Sequence, residues 1–254
     1  MADLSIAELG DRLTIAGRLK MRPLCVYGSE TIPAGAKPTH QIDSCLARAI
    51  FTLASKEKTP PLYIGEDTAD ECCGGGAAIF GFRPYGQWTK YFVSSGSPNF
   101  RHGAAEYLRA SPELFEENRE KVGKITPLGK YMVICACADL KDHDPGVKSL
   151  LVFGIGHQIR NICALVHFGS HDPFGEILIP QGASCATFVT YAAGMAEHAP
   201  KDAAYVGPTD PTGNSWFPED HLSLAIPIRL ARRMCDDMPN SFVVMRAKVA
   251  YPHG

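Results

Sequence analysis

Lys148-Ser-Leu-Leu-Val-Phe-Gly-Ile-Gly-His-Gln-Ile-Arg-Asn-Ile-Cys-Ala-Leu-Val-His167 is the stretch that decides the class of fold. Its first part, Lys148 to Ile155, is an apolar run carrying Val, Phe and Ile, the signature of a buried strand. Gly154-Ile-Gly156 then turns the chain, and Gln158 to His167 reads as a helix. A strand that runs directly into a helix is the repeating unit of an α/β protein. Upstream, Tyr131 to Ala138 is a second buried strand, Arg22 to Gly28 a third and Leu62 to Ile64 a short fourth. Helices are predicted over residues 3–19, where Leu4, Ala7, Leu9, Leu13, Ala16 and Leu19 recur at spacings near three and four, and over Ile42 to Leu53. Another begins after Ser111, whose side chain caps a turn opened by Pro112, and ends near Gly123.

Downstream, Gly175 to Pro180 encloses a short strand. Ser184-Cys185 opens an apolar helix to about Met195, and residues 200–220 read as a long loop. A strand follows from His221 to Ile226 and a helix from Pro227 to Asp237; Ser241 to Ala250 reads as strand or helix. The expected fold is α/β, a mixed sheet with packed helices. The runs 22–28, 131–138 and 148–155 should share that sheet, with the helices at 42–55 and 158–167 packed on it, because amphipathic helices bury their stripes against a sheet face.

A single domain is expected over residues 1–254. His40-Gln-Ile42 and His157-Gln-Ile159 each open a helix, and each is followed by a cysteine at a helix start, Cys73 and Cys185. This suggests an internal duplication of β-α-β-α halves, about 20–83 and 148–196, with an insertion at 84–130.

The charge balance, 25 Lys+Arg against 27 Asp+Glu, is close to neutral and argues against a nucleic-acid partner. No apolar run reaches the roughly 18 residues that span a bilayer, so no membrane association is expected. Asp3, Glu8 and Asp11 stand where a secretory leader would be apolar and basic, which favours a cytoplasmic, reducing setting. The expected partners are a small-molecule substrate or a redox partner, and a homo-oligomer is compatible with the composition.

Nine cysteines are the unusual feature. In a reducing setting they are buried hydrophobes, ligands or nucleophiles rather than disulfides. Cys73 precedes Gly74, Gly75 and Gly76 and a helix, so its sulfur can sit beside free backbone N–H groups at the positive end of a helix dipole. Cys185 has the same setting after Gly182-Ala-Ser184. Cys45 reads as lying on the apolar face of a helix, and Cys72 is a substitute for Cys73. Cys135 and Cys137 alternate onto one face of a strand and are expected in the core with Cys25, Cys163 and Cys235. Gly74 and Gly75 leave room for a cofactor to approach, and Arg160, at a helix start, can hold its anionic group.

The order of these pieces resembles the domain-of-unknown-function 169 family. The matching segments are Arg22-Pro-Leu-Cys-Val26, Cys45-Leu-Ala-Arg-Ala49, Cys73-Gly-Gly-Gly-Ala-Ala-Ile-Phe-Gly81, Gln158-Ile-Arg160, Gly182-Ala-Ser-Cys185 and His221-Leu-Ser-Leu-Ala-Ile-Pro227. The resemblance implies positions rather than a reaction. Family members often carry a further Gly-Cys near the C-terminal loop, where this chain has Ser215-Trp216.

Three thiolates at Cys45, Cys73 and Cys185 suit an iron–sulfur cluster of the 4Fe-4S kind, because such clusters are held by cysteine and stabilised by N–H donors. The expected function is a cysteine-ligated iron–sulfur protein, a redox or reductive enzyme of anaerobic metabolism. The alternatives are a metal-free thiol enzyme using Cys73, a zinc site completed by His40, His157 or His171, and a small-molecule binding or assembly protein with structural cysteines.

Overall fold

The computed structural model describes residues 4–141, 143–213 and 215–246. Its strands are β1 (Leu24–Ser29), β2 (Lys37–Pro38), β3 (Leu62–Gly65), β4 (Tyr131–Ala136), β5 (Ser149–Ile155), β6 (Ile177–Leu178), β7 (Ala204–Gly207) and β8 (His221–Pro227). Its helices are α1 (Ile6–Gly17), α2 (Leu46–Ser55), α3 (Gly74–Ile79), α4 (Thr89–Phe92), α5 (Pro112–Val122), α6 (Gly156–Phe168), α7 (Ile228–Asp237) and α8 (Phe242–Met245). All eight strands join one sheet in the order β2-β3-β4-β1-β5-β8-β7-β6. The sheet is mixed: β2–β3 and β6–β7 are parallel, the other neighbours antiparallel. The fold is α/β, and the three runs expected to share a sheet are its centre.

Those central strands read as continuous apolar runs because both faces of the sheet are covered. On β1, β4 and β5, Leu24, Val26, Met132, Ile134, Leu151 and Phe153 enter one core together with α2 and α3. Cys25, Tyr27, Val133, Cys135, Leu150 and Val152 enter the other, together with α1, α6 and α7. Cys25 and Cys135 are directly opposed in the β1–β4 register, with Sγ atoms 3.3 Å apart. Both are buried, as is Cys137.

Helix starts follow the local chemistry. Ser5 and Glu8 close a capping box on α1, and Ser111 caps α5 with Pro112 in its first turn. α2 starts later than its apolar spacing suggests. The Asp43 carboxylate accepts the N–H of Cys45 at 2.8 Å, so a tight turn occupies 39–43 and the helix opens at Leu46. The apolar helix expected from Cys185 to Met195 is shortened to a π-turn over Ala186–Thr190. Three elements are unexpected, β2 inside the 29–39 loop, α4 inside the 84–130 insertion and β7 inside the 200–220 loop; none exceeds four residues, too short to show a period. Of the final segment, α8 is described, and residues 247–250 lie outside the described part.

The sheet order is symmetric about the β1–β5 pair. β1 to β4 and β5 to β8 repeat the same pairings and the same directions. Under this correspondence Cys185 takes the place of Cys45 rather than Cys73: each stands seven residues beyond its two-residue strand, ending at Pro38 or Leu178. His40 and His157 are not equivalent, one following β2 and the other opening α6. The repeat in strand pairing runs through β4 and β8, past the ends of the 20–83 and 148–196 segments.

Candidate functional site

Cys45, Cys73 and Cys185 all border the core on the α2 side of the sheet. Cys45 and Cys73 are the extended residues immediately before α2 and α3, whereas Cys185 already has helical backbone and runs into the π-turn. This corrects the placement of Cys45 on an apolar helix face. Hydrogen bonds to backbone carbonyls tie the three segments together. Cys73 N–H donates to the Ser44 carbonyl at 2.8 Å, and Thr190 Oγ1 donates to the Ile79 carbonyl at 2.9 Å.

The first turn of α2 serves all three sulfurs. Its N–H groups at Leu46, Ala47 and Arg48 favour the charged forms of Cys73, Cys185 and Cys45 in that order. Gly76 adds an N–H to Cys73. These are the donors a helix start leaves unpaired, and they carry its partial positive charge.

The electrostatics favour one thiolate among two thiols. The Cys45 side chain hydrogen-bonds Cys73, and with the N–H groups of Leu46 and Gly76 it outweighs burial, drawing the Cys73 thiol down to about 6. The same hydrogen bond, with burial, pushes Cys45 up. Burial, then the Cys73 charge, pushes Cys185 well up. A group with a depressed pKa stabilises the fold where it is charged, and that stabilisation is lost as pH falls through the folded value. In metal-free protein, stability should therefore rise from about pH 6 toward the ordinary thiol value of 9.0, as Cys73 ionises in the fold before it does in the unfolded chain. Above that value stability should fall, because Cys45 and Cys185 ionise only when unfolded. Iodoacetamide labelling of Cys73 in the same sample should accelerate with a midpoint near pH 6. A midpoint at the free thiol value would remove the N–H and Cys45 contributions.

The glycines divide into two kinds. A Cβ at Gly74 or Gly75 would meet nothing within 4 Å, and both border a cavity. A Cβ at Gly76 would stand 2.9 Å from Cys73 Sγ and 2.8 Å from Leu46 Cδ1. Gly75→Ala should thus leave the labelling profile of Cys73 unchanged, whereas Gly76→Ala should shift its midpoint upward by displacing the sulfur from its donors.

The three cysteines open onto a cavity of about 1020 Å³. Its far walls come from segment 84–130, with Tyr85, Trp88, Phe92 and Phe100, and from Tyr191 and Tyr205. This segment is expected only as an insertion; its signal is the set of aromatic residues Tyr85, Trp88, Tyr91, Phe92, Phe100, Tyr107 and Phe115. His198 also lines the cavity; His40, His157 and His171 do not. Arg160 is exposed on α6, which packs on the opposite face, so it is not brought to the thiols. Cys72 turns away, its Sγ 3.3 Å from Thr39 Oγ1. Trp216 packs on Phe51 and Phe217. Among the described residues, no group of three or more His, Cys, Asp and Glu side chains is arranged to hold a metal ion as placed. Nor is any described helix long and apolar enough to cross a membrane.

The fold and site thus define an α/β protein with a mixed, internally symmetric sheet and a three-cysteine centre beside a large cavity. The chain belongs to the DUF169 family, described as Uncharacterised ArCR, whose profile matches residues 12–237. No curated protein and no solved structure gives a significant match.

Proposed function

We propose that this chain is a cysteine-ligated iron–sulfur protein, with Cys45, Cys73 and Cys185 as the ligands, acting as a redox or reductive enzyme on a small molecule bound in the adjoining cavity. What carries this reading is that Cys45, Cys73 and Cys185, from three separate segments, border one cavity, and that the first turn of α2 favours the charged form of each sulfur. A single nucleophile needs one such donor set. Three thiolates carrying a cluster need several, because the cluster adds negative charge and N–H donors offset it. Three protein ligands leave one iron of a 4Fe-4S cluster free for a further ligand. A redox partner would supply the electrons, in the reducing cytoplasm of an anaerobic cell.

The test is purification under strict exclusion of oxygen, followed by iron and acid-labile sulfide analysis. About four of each per chain is expected, with thiolate-to-iron charge-transfer absorption. A folded protein that retains neither, even after reconstitution with iron and sulfide, overturns the reading.

One observation favours the metal-free thiol enzyme. Cys73 borders the cavity with Cys45 as its hydrogen-bond partner, a nucleophile with an adjacent proton donor. Iron-free protein in which Cys73 forms a covalent adduct with substrate would put that reading first.

A further inference from the structure

We propose that the cavity binds a neutral, planar aromatic compound, held by the rings that residues 85–115 contribute to its wall, with Trp88 and Phe100 as the principal contacts. The inference deepens the proposed function by naming the substrate class of its cavity, and it rests on that reading only for the role of the thiols. Tyr85, Trp88, Phe92, Phe100 and Phe115 all border the cavity. Tyr191 and Tyr205 border it too, but they are buried core residues. Trp88, Phe92, Phe100 and Phe115 differ: each is partly exposed, and none belongs to or packs against either hydrophobic core among the described residues. α4 and α5, which carry two of them, bury no residue. Large rings that serve no core are costly to leave in water, and gathered on one cavity wall they mark a ligand site.

The rings hold one another in place. Trp88 and Phe100 are stacked, with 9° between their planes and 5.9 Å between centroids. Phe92 meets Phe100 at 80°, and Phe115 meets Tyr85 at 79°. Backbone bonds fix the loop that carries Phe100: its N–H donates to the Ser97 carbonyl at 3.0 Å, and the Glu106 N–H donates to the Phe92 carbonyl at 2.8 Å. The wall therefore presents ring faces and edges in set orientations before a ligand arrives. That favours a flat π system, which can stack on a face or meet an edge, over a saturated body of the same shape. The thiol end leaves room for it, because a Cβ at Gly74 or Gly75, next to Cys73, would meet nothing within 4 Å.

Charge does not select the ligand. Of the cations that border the cavity, Arg83 bonds Asp70 at 2.7 Å and Arg119 bonds Glu116 at 2.8 Å. Arg101 lies over the rings of Phe92 and Phe100, 5.0 and 5.3 Å from their centroids. Lys121 is exposed at the end of α5, where water solvates its ammonium group. His198 Nε2 stands 3.9 Å from Glu197 Oε2. Two acids, Glu106 and Asp210, border the same cavity. With both signs present and the buried cations paired or stacked, the rings are what the wall offers a ligand.

The test is calorimetric titration of the anaerobically purified protein with 2-naphthol and with decahydro-2-naphthol, which keeps the fused rings and the hydroxyl but has no π system. 2-Naphthol should bind saturably and at least about tenfold more tightly than the saturated compound. Trp88→Leu, which keeps an apolar side chain and loses the ring, should weaken 2-naphthol at least about fivefold and change the saturated compound by no more than about twofold. Phe100→Leu should do the same, and it decides the matter if Trp88→Leu does not fold. In iron-free protein, saturating 2-naphthol should slow iodoacetamide labelling of Cys73 at least about threefold, because both reagents enter one cavity. Absence of 2-naphthol binding, equal affinity for the saturated compound, unchanged affinity in the folded variants, or unchanged labelling of Cys73 overturns the inference. Iron is measured on the same samples after reconstitution. Iron without 2-naphthol binding overturns this inference and leaves the cluster; selective 2-naphthol binding without iron does the reverse.

Discussion

Replacing Cys73 by serine should lower the iron and sulfide content of the anaerobically purified protein at least about tenfold, while the melting temperature of the iron-free protein at or below pH 6, where the Cys73 thiolate adds little stability, shifts by no more than about 2 °C. The two effects separate because of where the sulfur sits. Serine is nearly isosteric and its oxygen can still accept the N–H groups of Leu46 and Gly76, so the turn between Cys73 and α3 survives. What it cannot supply is a soft anionic ligand, since a hydroxyl does not ionise in this pH range. Cys72→Ser is the control: that side chain faces Thr39, away from the cavity, and iron should be retained. Cys137→Ser should show the opposite pattern. Its side chain is 1% exposed in the α1–α6–α7 core, so a buried hydroxyl costs roughly 1–3 kcal/mol while iron is unaffected. A Cys73→Ser protein with full iron, or a Cys72→Ser protein without it, would move the centre away from the three cysteines.

Gly28→Ala should be among the most damaging single changes to the fold, although it adds one methyl group. Gly28 lies within β1 and pairs with Met132 of β4. A Cβ there would come within 2.3 Å of the Leu128 carbonyl oxygen and 2.6 Å of its carbon. Both are backbone atoms just ahead of β4, so no side-chain rotation relieves the overlap, and the 127–130 segment must move off the sheet. The expected loss is roughly 3 kcal/mol or more, seen as a fall in melting temperature of about 6–12 °C for a chain of this size. Gly35→Ala provides the comparison for strain without overlap: its φ is 77° but nothing lies within 4 Å, and a loss near 1 kcal/mol is expected. Equal melting temperatures for Gly28→Ala and the parent protein would show that Leu128 yields freely.

The central strands were legible in the sequence because each is long and buried on both faces, so composition alone marks it. β1, β4 and β5 lie within about two residues of the expected runs, and α1, α5, α6 and α7 follow their caps and apolar spacing. Cys73 and Cys185 were also legible as helix-start thiols, since glycine and small residues precede or follow them in a recognisable order. By itself the sequence therefore determined an α/β class, the main layers and two of three thiol settings. The tertiary structure decided the rest. Hydrogen bonding by Asp43 made Cys45 a cap rather than a core residue, because a carboxylate two residues away competes with the helix for its N–H. Pairing with β3 created β2, and pairing with β8 ordered β7 inside the expected 200–220 loop; both are too short for a period of their own. The 84–130 segment became a cavity wall because its rings pack on one another, Tyr85 on Phe115 and Trp88 and Phe92 on Phe100, and Arg160 left the site because α6 packs on the other face. Local patterns specify which face a residue shares with its near neighbours; convergence of three thiols from separate segments is set by sheet order and by backbone bonds between loops, which no window of sequence contains.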